Sequence, residues 1–160
     1  MPFHGSTSRL VLVLFAIVSL GCGSDDSGSP AGPATPPPSD DLTPVLGAWS
    51  ADSIVVSPKA NPAVSREIVG EDGAEFTFIV QNSGSYSASL RAFGALGHEV
   101  GTIRLNGELM LFTVTSPQPG SSSGRWQREG DRLILESDLL LDFNQDGTPD
   151  DLTTRFVLSP

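Results

Sequence analysis

From Thr43 onward the apolar residues fall into short runs punctuated by Gly, Asn, Ser and Pro clusters, and the period of an α-helix is missing. The runs predict strands near residues 48–57, 75–81, 85–93, 99–105, 108–115, 124–128, 132–141 and 152–158. Alternation is cleanest in the third, where Tyr86, Ala88, Leu90 and Ala92 share one face opposite Ser85, Ser87, Ser89 and Arg91. The fifth, containing LMLFTVT over 109–115, is apolar on both faces and is expected to need cover on both. Asn106-Gly107 is the strongest hairpin turn, followed by 82–84 and 129–131, while 58–73 reads as a long loop with one helical turn. Eight strands joined by short links predict an all-β, eight-stranded antiparallel up-and-down barrel. Closure removes the exposed edges, and the interior is either filled by side chains or holds one small ligand. Ala88 and Ala92 leave room inside, which large residues opposite could equally fill.

The N-terminus is patterned differently. Residues 10–20 read LVLVLFAIVSL, preceded by Arg9 and ending at Gly21-Cys22. As a helix this run rises about 16 Å against a hydrocarbon core of roughly 30 Å, so it reads as a signal-peptide core and not a membrane span. Ser19-Leu20-Gly21-Cys22 resembles the lipobox of bacterial lipoproteins, although that family usually has Leu where this chain has Ser19. The resemblance implies cleavage before Cys22, lipidation of its sulfur and a membrane anchor; Gly23 in the next position implies outer-membrane sorting in a Gram-negative cell. The other reading is a secreted protein cut near Gly21, with a free thiol at Cys22. Residues 23–41, GSDDSGSPAGPATPPPSDD, carry no large apolar side chain and are expected to form a disordered tether of roughly 24 Å. The expected organisation is a signal peptide over 1–21, a tether over 22–42 and a barrel domain over 43–160.

Within the barrel, Leu46-Gly47-Ala48-Trp49 resembles the Gly-x-Trp of lipocalins, and Gly124-Arg125-Trp126 with Gly130-Asp131-Arg132-Leu133 is similar to small lipocalin-like domains of bacterial lipoproteins. The resemblance implies that Trp49 closes the bottom of the barrel, that Arg155 on the last strand packs over it, and that a small apolar ligand occupies the interior. No C-terminal helix of the lipocalin kind follows before Pro160. Trp49 also reads simply as a core anchor.

Nine Lys and Arg against nineteen Asp and Glu give a formal charge of −10, which argues against nucleic acid as a partner. Losing Arg9 with the signal segment makes it −11, of which the tether holds −4 and the domain −7. The stretch 136–151 contains Glu136, Asp138, Asp142, Asp146, Asp150 and Asp151 and no basic residue. Its core, Asp142-Phe143-Asn144-Gln145-Asp146-Gly147-Thr148-Pro149-Asp150-Asp151, has the spacing of a calcium loop. Asp142, Asn144 and Asp146 alternate, Gly147 permits the bend, and the Thr148 carbonyl and Asp150 continue the shell, with Asp151 or water replacing the EF-hand Glu. Weak calcium binding is expected, and clustered carboxylates supply the electrostatic reason. The bland reading is that these are turn-forming residues joining two strands.

Catalytic signals are thin. His98 is the lone histidine outside the signal segment and reads as solvated, Ser121-Ser122-Ser123 reads as a flexible loop, and no nucleophile stands in a recognisable motif. Arg125, Arg128 and Arg132 suggest either a basic patch or ordinary surface pairing with Glu129 and Asp131. The expectation is a non-catalytic, monomeric, envelope-tethered lipoprotein that binds a small apolar molecule. The alternative is a calcium-stabilised structural or interaction module with a solid barrel that engages a protein or glycan partner.

Overall fold

A computed structural model describes residues 41–144 and 146–160, which places Cys22, the signal segment and most of the tether outside the described residues. The domain is a closed antiparallel barrel with the topology of an up-and-down meander: β1 (Gly47–Pro58), β3 (Glu75–Val80), β4 (Ser85–Ala92), β5 (Ala95–Asn106), β6 (Leu109–Ser116), β7 (Gly120–Glu129), β8 (Arg132–Leu141) and β9 (Asp150–Ser159), with β9 pairing back onto β1. The long loop after β1 carries the two-residue β2 (Arg66–Glu67) and the single-turn α1 (Ile68–Asp72). This is the eight-stranded barrel expected from the spacing, and it is the lipocalin-like architecture.

Alternation decides the interior. Phe76, Phe78 and Val80 of β3, Tyr86, Ala88, Leu90 and Ala92 of β4, and Leu152, Phe156 and Leu158 of β9 all point inward and are buried. The space beside Ala88 is taken by aromatic rings. Phe78 lies 5.8 Å from Tyr86 and 6.3 Å from Phe112, Tyr86 lies 5.4 Å from Phe112, and Phe76 lies 4.5 Å from Phe156.

The two ends are closed differently. At the base, where the domain begins, a 3-10 turn over Thr43–Val45 buries Val45 and Leu42. At the mouth, α1 buries Ile68 and ends on left-handed Gly73 (φ 64°). The Glu67 side chain caps this helix, accepting from Val69 N at 3.1 Å and Gly70 N at 2.7 Å, and also accepts from Ile54 N of β1 at 3.1 Å.

Several local expectations change. Residues 121–123 are not a flexible loop: Ser121 and Ser123 pair with Thr113 and Leu111 in β7. The strand escaped notice because its inner positions there, Gly120, Ser122 and Gly124, provide no apolar signal. The fifth predicted run is covered on one face only. Met110, Phe112 and Val114 point in, while Leu109 and Leu111 stand on the outer wall, partly exposed. In the Asn-Gly turn, Asn106 remains in the strand opposite Leu109, and Gly107 (φ 59°) and Glu108 form the two-residue connection. A further tight turn at Phe93 (φ 50°) and Gly94 (φ 76°) starts β5 at Ala95, four residues before the expected Glu99.

Gly101 marks the tightest approach between strands. The β5–β6 register shifts between Val100 and Gly101, and a Cβ at Gly101 would lie 2.1 Å from the Thr113 carbonyl oxygen and 3.0 Å from the Tyr86 ring. Gly101→Ala is expected to cost about 3 kcal/mol or more, because backbone and not a flexible side chain has to move. Chemical denaturation measures it, with a change below about 1 kcal/mol counting against the close approach.

Candidate functional site

Three places carry chemistry, beginning with the base. Trp49 is inward and almost fully buried, and its Nε1 donates to the Val45 carbonyl at 2.9 Å, which ties the closing turn to β1. The cation over its ring is Arg128 of β7, with Cζ 4.6 Å from the ring centroid. Arg128 is held there because Nε donates to the Gly130 carbonyl and Nη1 to the Pro44 carbonyl, both at 2.9 Å. The resemblance had assigned this role to Arg155, and the structure corrects it. Arg155 stands on the outer wall of β9 and reaches Glu136 across the strand pair at 3.6 Å, because Thr154 and Phe156 take the inward positions on either side. The three arginines form no common patch: Arg125 reaches Glu108 at 3.9 Å and Arg132 reaches Asp52 at 3.7 Å.

The second place is the β8–β9 loop at the mouth. Asp142 accepts from Asp146 N at 3.0 Å through one oxygen and from Gly147 N at 2.9 Å through the other. Asn144 Oδ1 also accepts from Asp146 N, Asp146 accepts from Thr148 N at 2.8 Å, and Asp150 accepts from Phe143 N at 3.1 Å. These are the side-chain-to-backbone bonds of a self-supporting turn. Asp151 is directed elsewhere. Lys59, just past the end of β1, bonds Asp151 at 3.0 Å and Asp138 at 2.9 Å, which together with the Arg155–Glu136 pair supplies the cations that the stretch 136–151 lacks in sequence. Among the described residues no three His, Cys, Asp or Glu side chains come together to hold a metal ion. Of the donor set expected for calcium, Asp142, Asn144, Asp146 and Asp150 accept from backbone N–H groups, Thr148 enters through its own N–H to Asp146, and Asp151 pairs with Lys59.

The third place is inside the wall. Glu99 of β5 is 3% exposed, and Tyr86 donates its O–H to the carboxyl at 2.7 Å. Burial pushes the Glu99 carboxyl up to about 7, with the Tyr86 bond pulling it partly back. Burial and then the Glu99 charge hold the Tyr86 phenol above its ordinary value. Sequence reasoning missed this pair, although the inward phase of Ile103 and Leu105, followed back along β5, reaches Glu99. His98 beside it faces out, exposed, with Nδ1 2.8 Å from the Ser89 hydroxyl. Two grooves open on the outer wall, one of about 410 Å³ lined by Ile79, Ser87, Val100 and Thr115, and one of about 460 Å³ lined by Asn82, Arg104, Leu111 and Thr113; both include Thr102.

No family model matches this chain, and no curated protein matches it. Among solved structures it is similar to a lipocalin-like protein from Bacteroides uniformis, with 14% identity and a TM-score of 0.43 over 72% of this chain and 97% of that one.

Arg128→Ala is expected to destabilise the domain by about 1–2 kcal/mol and to change the Trp49 fluorescence, whereas Arg155→Ala, an outer-wall change, stays within about 0.5 kcal/mol. Equal effects of the two would remove Arg128 from its place in the base. In the loop, Asp142→Ala is expected to cost about 1 kcal/mol in chelator, since two N–H groups lose a charged acceptor. Thermal unfolding in chelator checks it, and a variant that unfolds with wild type there but below it in millimolar calcium would assign the loop an ion-binding role instead.

Proposed function

We propose that this chain is an envelope-anchored, non-catalytic barrel module whose interior is occupied by its own side chains and which meets its partner through the outer wall. The observation that carries the reading is the ring cluster of Phe76, Phe78, Tyr86, Phe112 and Phe156 at the centre of the barrel. An eight-stranded barrel is just wide enough for side chains to fill, and an apolar ligand would have to displace these rings. The outer wall offers polar recognition: Ser85, Thr102, Thr113 and Ser121 stand in register across β4, β5, β6 and β7. Support for the anchor is the lipobox-like Ser19-Leu20-Gly21-Cys22 and the polar segment behind it. The domain begins at the base, so a tether attached there would turn α1 and the β8–β9 loop away from the bilayer. The reading makes no use of calcium.

Native mass spectrometry of the protein purified from its own host tests both halves. The expected species is a chain that begins at an acylated Cys22 and carries nothing held non-covalently. A retained small molecule overturns the filled barrel, and an unacylated N-terminus overturns the anchor.

A further inference from the structure

The edge of β5 is incomplete at the mouth. Ala95, Leu96, Gly97, His98 and Glu99 pair with β4, whereas among the described residues pairing with β6 begins only at Val100, opposite Ser116. The first seam contact is irregular: the register shifts after Val100, and the Val100 carbonyl accepts from the Thr115 hydroxyl at 3.1 Å. The start of β5 therefore has one edge without a strand partner, and Leu96 near the turn is 65% exposed. A strand segment paired on one side only is the part of a sheet most free to open locally.

Glu99, the last residue of this segment, turns its carboxyl into the barrel wall and accepts from Tyr86 on β4, the strand that the segment already pairs with. We propose that Glu99 is a proton-controlled switch for the start of β5: a neutral carboxyl is accommodated inside the wall and leaves residues 95–99 closed, and a charged one favours their opening to water.

Among the described residues the surroundings contain no cation that would stabilise the charge inside. The inner positions of β3 are Phe76, Phe78 and Val80, those of β4 are Tyr86 and aliphatic residues, those of β6 are Met110, Phe112 and Val114, and those of β7 beside them are Ser122 and Gly124. Across the barrel the buried inner residues of β1, β8 and β9 include no titratable group, only Ser137 and Thr154 as polar ones. His98 and Arg91 face outward, bonded to Ser89 and paired with Glu75. At the mouth, Arg66 pairs with Glu71 and Asp72 while its guanidinium lies over the Phe93 ring, and Glu67 is bonded to backbone N–H groups. An ionised Glu99 thus has the Tyr86 hydroxyl as its hydrogen-bond donor and gains full hydration only if the start of β5 moves.

The sign follows from linkage. The closed form binds the proton more tightly than an open, hydrated one, so raising the pH favours opening. From a carboxyl near 4.5 when hydrated to about 7 when closed, the opening equilibrium rises about tenfold per pH unit, roughly 300-fold in all, and levels off above pH 7.

Hydrogen exchange of the full chain, expressed as protection factors corrected for intrinsic rate, measures this opening. Protection of the amides of residues 95–99 is expected to fall between pH 5 and pH 7 while β8 and β9 keep theirs. Glu99→Gln, which cannot ionise, should make the same amides indifferent to pH. Tyr86→Phe removes the hydroxyl that favours the charged form and should move the plateau to higher pH, which provides a second test should Glu99→Gln fail to fold. Wild-type protection at 95–99 that stays constant across this range, or a fall that persists unchanged in Glu99→Gln, overturns the proposal, as does an unmoved plateau in Tyr86→Phe.

Discussion

β1 has to serve two partners at once, and the rest of the domain is arranged around that requirement. Its first residues, Gly47 to Ser50, pair with β3, and from Ser50 to Pro58 it pairs with β9, with a register shift between Ala51 and Ser53 where the strand bends from one role to the other. Closing the sheet in this way leaves β1 without β3 on one edge near the mouth. β2 fills that edge, pairing at Val55 and Val56, and the Glu67 carboxylate reaches Ile54 N. The loop that read in sequence as a long connection with one helical turn is thus the piece that completes the closure. Against the cost of its desolvation, bonds from Gly70, Ile54 and Val69 hold the Glu67 carboxyl below its usual range.

The same strand positions the base. Trp49 lies on the β3-paired part of β1 and faces inward, so its indole N–H is available to the turn that precedes the strand, and its ring face to Arg128. The single Cys in the sequence, Cys22, allows no disulfide within the chain. Among the described residues the closure is therefore maintained by strand pairing, ring packing and the two covers at the ends. Trp126 does on β7 what Trp49 does on β1: its Nε1 donates to the Gly107 carbonyl at 3.0 Å and its N to the Glu108 carbonyl at 2.8 Å, which binds the β5–β6 turn to the neighbouring strand.

The barrel was legible because alternation and turn residues are local signals, and each strand carries its own. What escaped were features in which the local signal was absent or had been followed only in one direction. The first half of β7 has small inner residues and reads as a serine loop. The arginine over Trp49 was sought on the last strand, yet phase alone would have moved it: Phe156 inward puts Arg155 outward, while Gly124 and Trp126 carry the inner phase of β7 on to Arg128 at its end. The acidic stretch shows the other limit. Lys59, which pairs with two of its six carboxylates, lies more than seventy residues away in sequence and arrives only because β1 and β9 pair.

Glu99 stands apart from both kinds of omission, since its phase was readable and its chemistry was not. A carboxyl on an inner face is usually a defect in an apolar core, one that a substitution to a hydrophobic residue would mend. Here it sits at a gap in the wall, one residue before pairing with β6 begins, and its hydrogen bond from Tyr86 crosses to the strand on the other side. Placed at the centre of the sheet, the same group would oppose folding at every pH at which it ionises. At the edge of a seam, its ionisation can be relieved by moving the short start of β5 and leaving the ring cluster packed. The position of the carboxyl along β5, and not only its burial, is what gives its protonation a local structural consequence.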